Sequence, residues 1–204
     1  IVAIGAPKNS DNGFESGCAR VYENVGGSWS QVGQDIDGEA AFDLSSSSLS
    51  LSSDGSILAV GARNNDGIGS NSGHVRIFEN IAGSWSQIGQ DIDGEAAGDF
   101  SGWSVSLSSD GNTVAIGAPD NNGADPNYTS LCGHVRIYKW DGSAWNQFGI
   151  DIDGEHQMDK SGEFVSLNSD ASKVAIGSQH NGPNKGHVRA VSYTHLTLPT
   201  MFEV

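Results

Sequence analysis

Short stretches of the chain alternate apolar and polar residues with a period of two, as in Ser104-Val105-Ser106-Leu107-Ser108 and His134-Val135-Arg136-Ile137-Tyr138. That period places successive side chains on opposite faces of an extended backbone and predicts half-buried strands. Val114-Ala115-Ile116-Gly117-Ala118 is a short apolar run rich in β-branched residues, which fits a strand buried on both faces. Turn signals punctuate these stretches at Gly26-Gly27, Asp54-Gly55, Asp110-Gly111 and Asp141-Gly142. One unit therefore reads as four strands in the order SVSLS, VAIGA, HVRIY and WSQIGQDIDG.

The unit recurs. Ile1–Pro7 (IVAIGAP) returns as ILAVGAR at 57–63, TVAIGAP at 113–119 and KVAIGSQ at 173–179, a period of 56 and then 60 residues. DIDGE begins at Asp35, Asp91 and Asp151. Four antiparallel strands every 50 or so residues correspond to a propeller blade, which needs its neighbours to bury both faces. The expected fold is all-β: an incomplete β-propeller of about three and a half four-stranded antiparallel blades with a period of about 56 residues. Blade boundaries fall at 1–39, 40–95, 96–155 and 156–189. Ser45–Ser53, which alone resembles a serine linker, aligns with Ser101–Ser109 and is read as a first strand. With only part of a ring present, the rest of the propeller is expected to be missing, and the open arc is expected to self-associate.

Spacing within the unit separates framework from loop. From the glycine that opens the third strand to the first Asp of DIDGE there are 18 steps in all three units, and 26 more to the next VAIG glycine. The connection between the second and third strands takes 12, 12, 16 and 9 steps. Variation confined to one set of loops on one face marks a candidate binding surface. Its candidate residues are Asn9, Asp11, Asn12, Asn65, Asp66, Asn121, Asn122, Asp125, Tyr128 and Asn181. Asn and Asp are also ordinary turn formers, and that reading stands beside the binding one. The insert in the third loop carries Asn127-Tyr128-Thr129, an acceptor sequence for glycosylation in an exported eukaryotic protein.

Charge narrows the partners. The 25 acidic and 10 basic residues give a formal charge of −15, unsuited to nucleic acid or anionic membrane. No apolar run reaches the ~20 residues of a transmembrane helix. Cys18 and Cys132 occupy matching places in units one and three, too far apart to expect a bridge.

Ser101-Gly102-Trp103-Ser104-Val105 leading to Val114–Pro119 resembles the FG-GAP repeat, the blade of integrin α-subunit propellers and of many secreted microbial proteins. Gly5-Ala6-Pro7 and Gly117-Ala118-Pro119 match its GAP part, and Gly61-Ala62-Arg63 and Gly177-Ser178-Gln179 match in part. The resemblance implies an extracellular or cell-surface module that recognises a protein or carbohydrate ligand of the surface or matrix. The family's DxDxDG calcium loop between the first two strands is not carried over, because Ser108-Ser109-Asp110-Gly111 is too short.

Two readings of the acidic run remain. Asp35, Asp37, Glu39 and Asp43, repeated as Asp91, Asp93, Glu95 and Asp99, could hold a hard cation such as Ca²⁺, since carboxylates two apart on a strand share a face. Alternatively they guard an outer blade edge against pairing, while Ile36, Ile92 and Ile152 enter the core. His74, His134 and His187 share one repeat position with Cys18 and read as structural. Arg20, Arg76, Arg136 and Arg189 read as partners of Asp43, Asp99 and Asp159 within each blade, or as a ring for an anion. Trp29, Trp85 and Trp145 read as packing residues. No nucleophile–base arrangement or GxSxG elbow appears, and the recurring Ser, His and Asp residues read as scaffold. The expectation is thus a non-catalytic adhesion module, with a carbohydrate-active enzyme domain or a structural spacer as alternatives. The register is lost after Arg189, and Ser192–Thr200 resembles translated adapter sequence, so 190–204 is set aside.

Overall fold

The computed structural model describes residues 1–123, 131–180 and 186–192. Every regular element among them is a β-strand, and the strands form four antiparallel sheets, one per repeat. In blade 1, β1 (Val2–Ala6), β2 (Cys18–Val25) and β3 (Ser28–Gln31) lie side by side, with β4 (Ile36–Asp37) also paired to β2. Blade 2 comprises β5 (Ser48–Leu51), β6 (Ile57–Ala62), β7 (His74–Ile81), β8 (Ser84–Gln87) and β9 (Ile92–Asp93). Blade 3 repeats this as β10 (Ser104–Leu107), β11 (Thr113–Ala118), β12 (His134–Trp140), β13 (Trp145–Gln147) and β14 (Ile152–Asp153). Blade 4 shows β15 (Phe164–Leu167), β16 (Lys173–Ser178) and β17 (His187–Ser192), so its third strand runs on through Ala190, Val191 and Ser192.

The outer strand of the sequence reading is two strands. SWSQ pairs with the far half of the third strand and ID with its near half, as in Phe78↔Gln87 and Val75↔Ile92. Gly89 lies between them at φ 74°, a left-handed conformation that interrupts the ladder at little cost only for glycine. The interruption lets a single segment pair twice with β7 and aims the acidic run at the start of that strand.

The core lies in the seams between blades. Ala19, Val21 and Ile36 of blade 1 pack with Leu58, Val60, Phe78 and Trp85 of blade 2. Blades 2 and 3 meet through Ile57, Val75, Ile77, Ile92, Val114, Ile116 and Trp145. The serines of the first strands also act across seams: Ser48 Oγ donates to the Gly102 carbonyl and Ser104 Oγ to the Gly162 carbonyl, each at 2.7 Å. Leu107 N–H donates in turn to Ser50 Oγ at 2.9 Å. This cross-seam bonding is why a serine-rich segment behaves as a strand; in blade 2 it covers Ser48–Leu51. Cys18 and Cys132 are both free and buried.

Candidate functional site

The third strand of each blade begins under the loop that joins it to the second, and the acidic run of the preceding blade arrives at the same place. Glu39, in the loop after β4, thereby faces His74 at the start of β7. His74 Nδ1 lies 3.9 Å from Glu39 Oε2 and 3.8 Å from Asp91 Oδ2. The next seam repeats the arrangement, with His134 Nδ1 3.8 Å from Glu95 Oε2 and 3.7 Å from Asp151 Oδ2. Both imidazoles are about 2% exposed, whereas Glu39 and Glu95 stand at the rim, 44% exposed.

The groove of the first of these seams measures about 360 Å³ and is lined by Glu39, Asp43, Asn65, Asp66, Gly67, His74, Asp91 and Asp93. A wider hollow of about 670 Å³ flanks Glu95, Gln147, Asp151 and Asp153 in the next blade. Burial pushes the Glu39 carboxyl above its ordinary range, against the pull of Arg76, and does the same to Glu95 against Arg136. Burial, followed by the neighbouring Asp91, raises Asp93. Burial and the adjacent arginine lower both histidines, leaving neutral imidazoles at pH 7. A neutral imidazole can accept a proton or ligate a metal.

The repeated arginines act between blades. Arg76 Nη2 donates to the Asp37 carbonyl at 2.7 Å while its Nη1 lies 3.4 Å from Glu39 Oε1. Arg136 does the same with Asp93 O and Glu95, and Arg189 with Asp153 O and Glu155. Their partners are thus the glutamates of the preceding blade, in place of the aspartates expected within each blade. Arg20, in the first described blade, turns to Asp35 at 2.6 Å, and this bond together with Gln31 holds the Asp35 carboxyl low.

The acidic run is divided among tasks. Asp43 and Asp99 are buried; their Oδ2 atoms accept from Ala40 N and Ala96 N, and from Asn65 Nδ2 and Asn121 Nδ2. Asp35 and Asp37 form a separate group with Cys18. No single run of four converges on one point; each seam combines a glutamate from one run with an aspartate from the next. Chain separation of Glu39, His74 and Asp91 hides that meeting in the sequence. The period of the repeat, which sets Glu39 beside the following unit, was its one available signal.

Among the loop residues, Asn65 and Asn121 accept from Gly67 N and Gly123 N at 2.8 and 2.6 Å, closing turns on their own backbone. Asp66 accepts from Asn71 N and Asn122 from Leu131 N. Asn9 accepts from Asp11 N and donates to its carboxylate, while Asn12 Nδ2 donates to the Gly38 carbonyl. Asn65 and Asp66 reach the groove. Asp125, Tyr128 and Asn181, with the sequon at Asn127, lie outside the described residues. No helix among the described residues is long and apolar enough to cross a membrane.

No protein-family model and no curated protein matches the chain. Membership of the FG-GAP family is therefore not shown, and the adhesion and integrin associations of that motif have no support beyond it. Solved structures do match. The periplasmic gluconolactonase PpgL of Pseudomonas aeruginosa aligns at TM-score 0.51 and 17% identity, over 86% of this chain and 46% of that one. A candidate 6-phosphogluconolactonase of Bacteroides uniformis aligns at 0.48 and 13%, over 86% and 48%. The Dos1 propeller aligns at 0.38 and 12%, over 78% and 44%. The chain spans about half the length of these proteins. The expectation of a non-catalytic adhesion module is corrected by this result: the solved likenesses include a gluconolactonase, and "not an enzyme" no longer stands. What the likeness establishes for this chain is the fold, an all-β propeller.

Proposed function

We propose that this chain is an arc of a carbohydrate-active propeller enzyme, a hydrolase that opens the lactone ring of a neutral sugar derivative. The observation that carries the reading is the groove beside Gly67, where Glu39, Asp66, Asp91, Asp93 and neutral His74 converge in about 360 Å³. Small-ligand sites are concave and of roughly this size, with a few convergent polar groups. Sugar hydroxyls donate hydrogen bonds, and ionised carboxylates only accept them. Gly67 keeps the floor open: a Cβ there would stand 2.9 Å from Asp93 Oδ1.

Asp93 is assigned the proton of the attacking water. The water oxygen bonds to the lactone carbonyl carbon, and collapse of the tetrahedral intermediate breaks the bond to the ring oxygen. The proton held by Asp93 passes to that leaving oxygen, so lactone plus water gives the hydroxy acid. With a formal charge of −15, the chain admits a neutral lactone and expels the carboxylate product. A phosphorylated lactone would be repelled. The shared architecture with a gluconolactonase supports this choice of substrate class over a glycoside.

The test is acid release from gluconolactone in a weakly buffered indicator assay, with the phosphorylated lactone as comparison. Turnover above the spontaneous rate is expected, favouring the neutral substrate, and D93N/D153N should lower it about 10²–10⁴-fold while remaining folded. Turnover no faster than in buffer, or unchanged in the double variant, sinks the proposal.

A further inference from the structure

We infer that each of the two complete seams holds one divalent first-row transition cation, ligated by Glu39, His74 and Asp91 in one and by Glu95, His134 and Asp151 in the other. The inference shares the groove of the hydrolytic reading but does not rest on it. In each seam one imidazole nitrogen and two carboxylate oxygens all lie within 4.8 Å of one another. Ligands around such a cation stand roughly 3–3.5 Å apart, given bonds of about 2.0–2.2 Å. The histidine–carboxylate pairs at 3.7–3.9 Å need only small rotamer shifts to close, and Glu39 and Glu95 stand at the rim.

In the second of these seams a further observation points the same way; in the first, the unpartnered ring nitrogen of His74 is Nε2, on the side away from the carboxylates. His134 Nδ1 is buried with no hydrogen-bond partner, and it is the atom that faces Glu95 and Asp151. A buried ring nitrogen left unbonded is costly unless something occupies the space before it. Gln87 and Gln147 donate to Asp91 Oδ1 and Asp151 Oδ1 at 2.6 Å, which turns the other oxygen of each toward the histidine. Arg76 and Arg136 hold Oε1 of the two glutamates in the same manner, leaving Oε2 for the site. Outer partners that fix ligand orientation in this way are characteristic of metal sites.

The donor set decides the class of ion. Imidazole suits zinc and its neighbours, whereas Ca²⁺ prefers oxygen alone. Blade 1 should not add a third site. There Cys18 replaces the histidine, and burial with the nearby Asp35 pushes its thiol up to about 12, against thiolate formation. Arg20 also occupies the Asp35 carboxylate.

The experiment is calorimetric titration of the chelator-stripped full chain with ZnCl₂, followed by E39Q, E95Q and the double variant. Two ions per chain are expected, one in each single variant and none in the double, with affinity falling at least tenfold at the altered seam. Both glutamates sit at the rim, and circular dichroism confirms that the variants fold. Unchanged stoichiometry in the double variant, no zinc binding, or preferential binding of Ca²⁺ in these seams overturns the inference. No substrate enters this measurement, so its failure and that of the lactone assay are read separately.

Discussion

The indole Nε1–H of Trp85 donates to the Val32 carbonyl oxygen across a blade seam at 2.9 Å, with the ring buried between the two sheets. Gln34 completes the clamp: its Nε2 donates to Trp85 O at 2.6 Å and its Oε1 accepts from Trp85 N at 3.1 Å. Trp145, Ile88 and Gln90 repeat the geometry one blade on. Trp29, with no described blade before it, is 58% exposed. Trp85→Ala should therefore cost about 3–5 kcal/mol in urea unfolding, while Trp29→Ala should stay within about 0.5 kcal/mol. Equal losses would show that the tryptophan acts within its own blade.

The glycine of VAIG is required by close approach. A Cβ on Gly117 would overlap the Gly162 carbonyl oxygen of the next blade, and one on Gly61 would overlap that of Gly102. At Gly177 the nearest obstacle is the Phe164 side chain at 3.1 Å, which can yield. Gly117→Ala should destabilise by roughly 1–3 kcal/mol or more through forced separation of the seam, and Gly177→Ala by clearly less. Thermal unfolding of the two variants side by side makes the comparison.

Asp99 Oδ2 accepts from Ala96 N and Asn121 Nδ2, both at 2.9 Å, and so ties the loop after β9 to the loop after β11. Asp99→Ala would strand Asn121 Nδ2 in a buried position, at a cost of roughly 1–3 kcal/mol for that unsatisfied donor, whereas Ala96 N, at an exposed residue, can turn to water. Hydrogen exchange at Ala96 and Gly123 should accelerate in the variant. Retained protection would show that the loops are held by other bonds.

Acid should loosen the turns before neutral pH affects them. Backbone and hydroxyl donation from Ser56, with a bond from Ser52, lowers Asp54 to about 2, and Ser108 with Asn112 lowers Asp110. A folded-state value below that of the unfolded chain means stability is fully present above about pH 4 and is lost as pH falls toward 2. Asp54→Asn should flatten the melting temperature across that window relative to the parent chain. A parent melting temperature constant from pH 4 to 2 would remove the turns as acid-sensitive elements.

Much of the fold could be read from periodicity. Alternation of two defines strands such as Ser104–Leu107 and His134–Trp140 within a residue or two, because side chains on a pleated strand take sides regardless of what covers them. The 56-residue recurrence specified the blade, since no single sheet of four short strands can bury both its faces. Splitting of the outer strand at Gly89 was not legible, because a glycine in a strand run marks equally a bulge, a bend or a loose packing position. The candidate site is partly legible: the sequence marks Asp91 and Glu39 as candidate cation ligands and Asn65 as a candidate binding-loop residue, while His74 reads as structural.

What joins them is stacking. Local sequence determined which residues alternate, turn and repeat, as these depend on neighbours along the chain. Only the packing of one blade on the next decided that Glu39 meets His74, that Arg76 reaches back to Asp37 O, and that Trp85 docks on Val32. Each of these contacts spans about 35 to 55 residues of chain, and no local propensity records a distance that exists only once two apolar faces have been driven together.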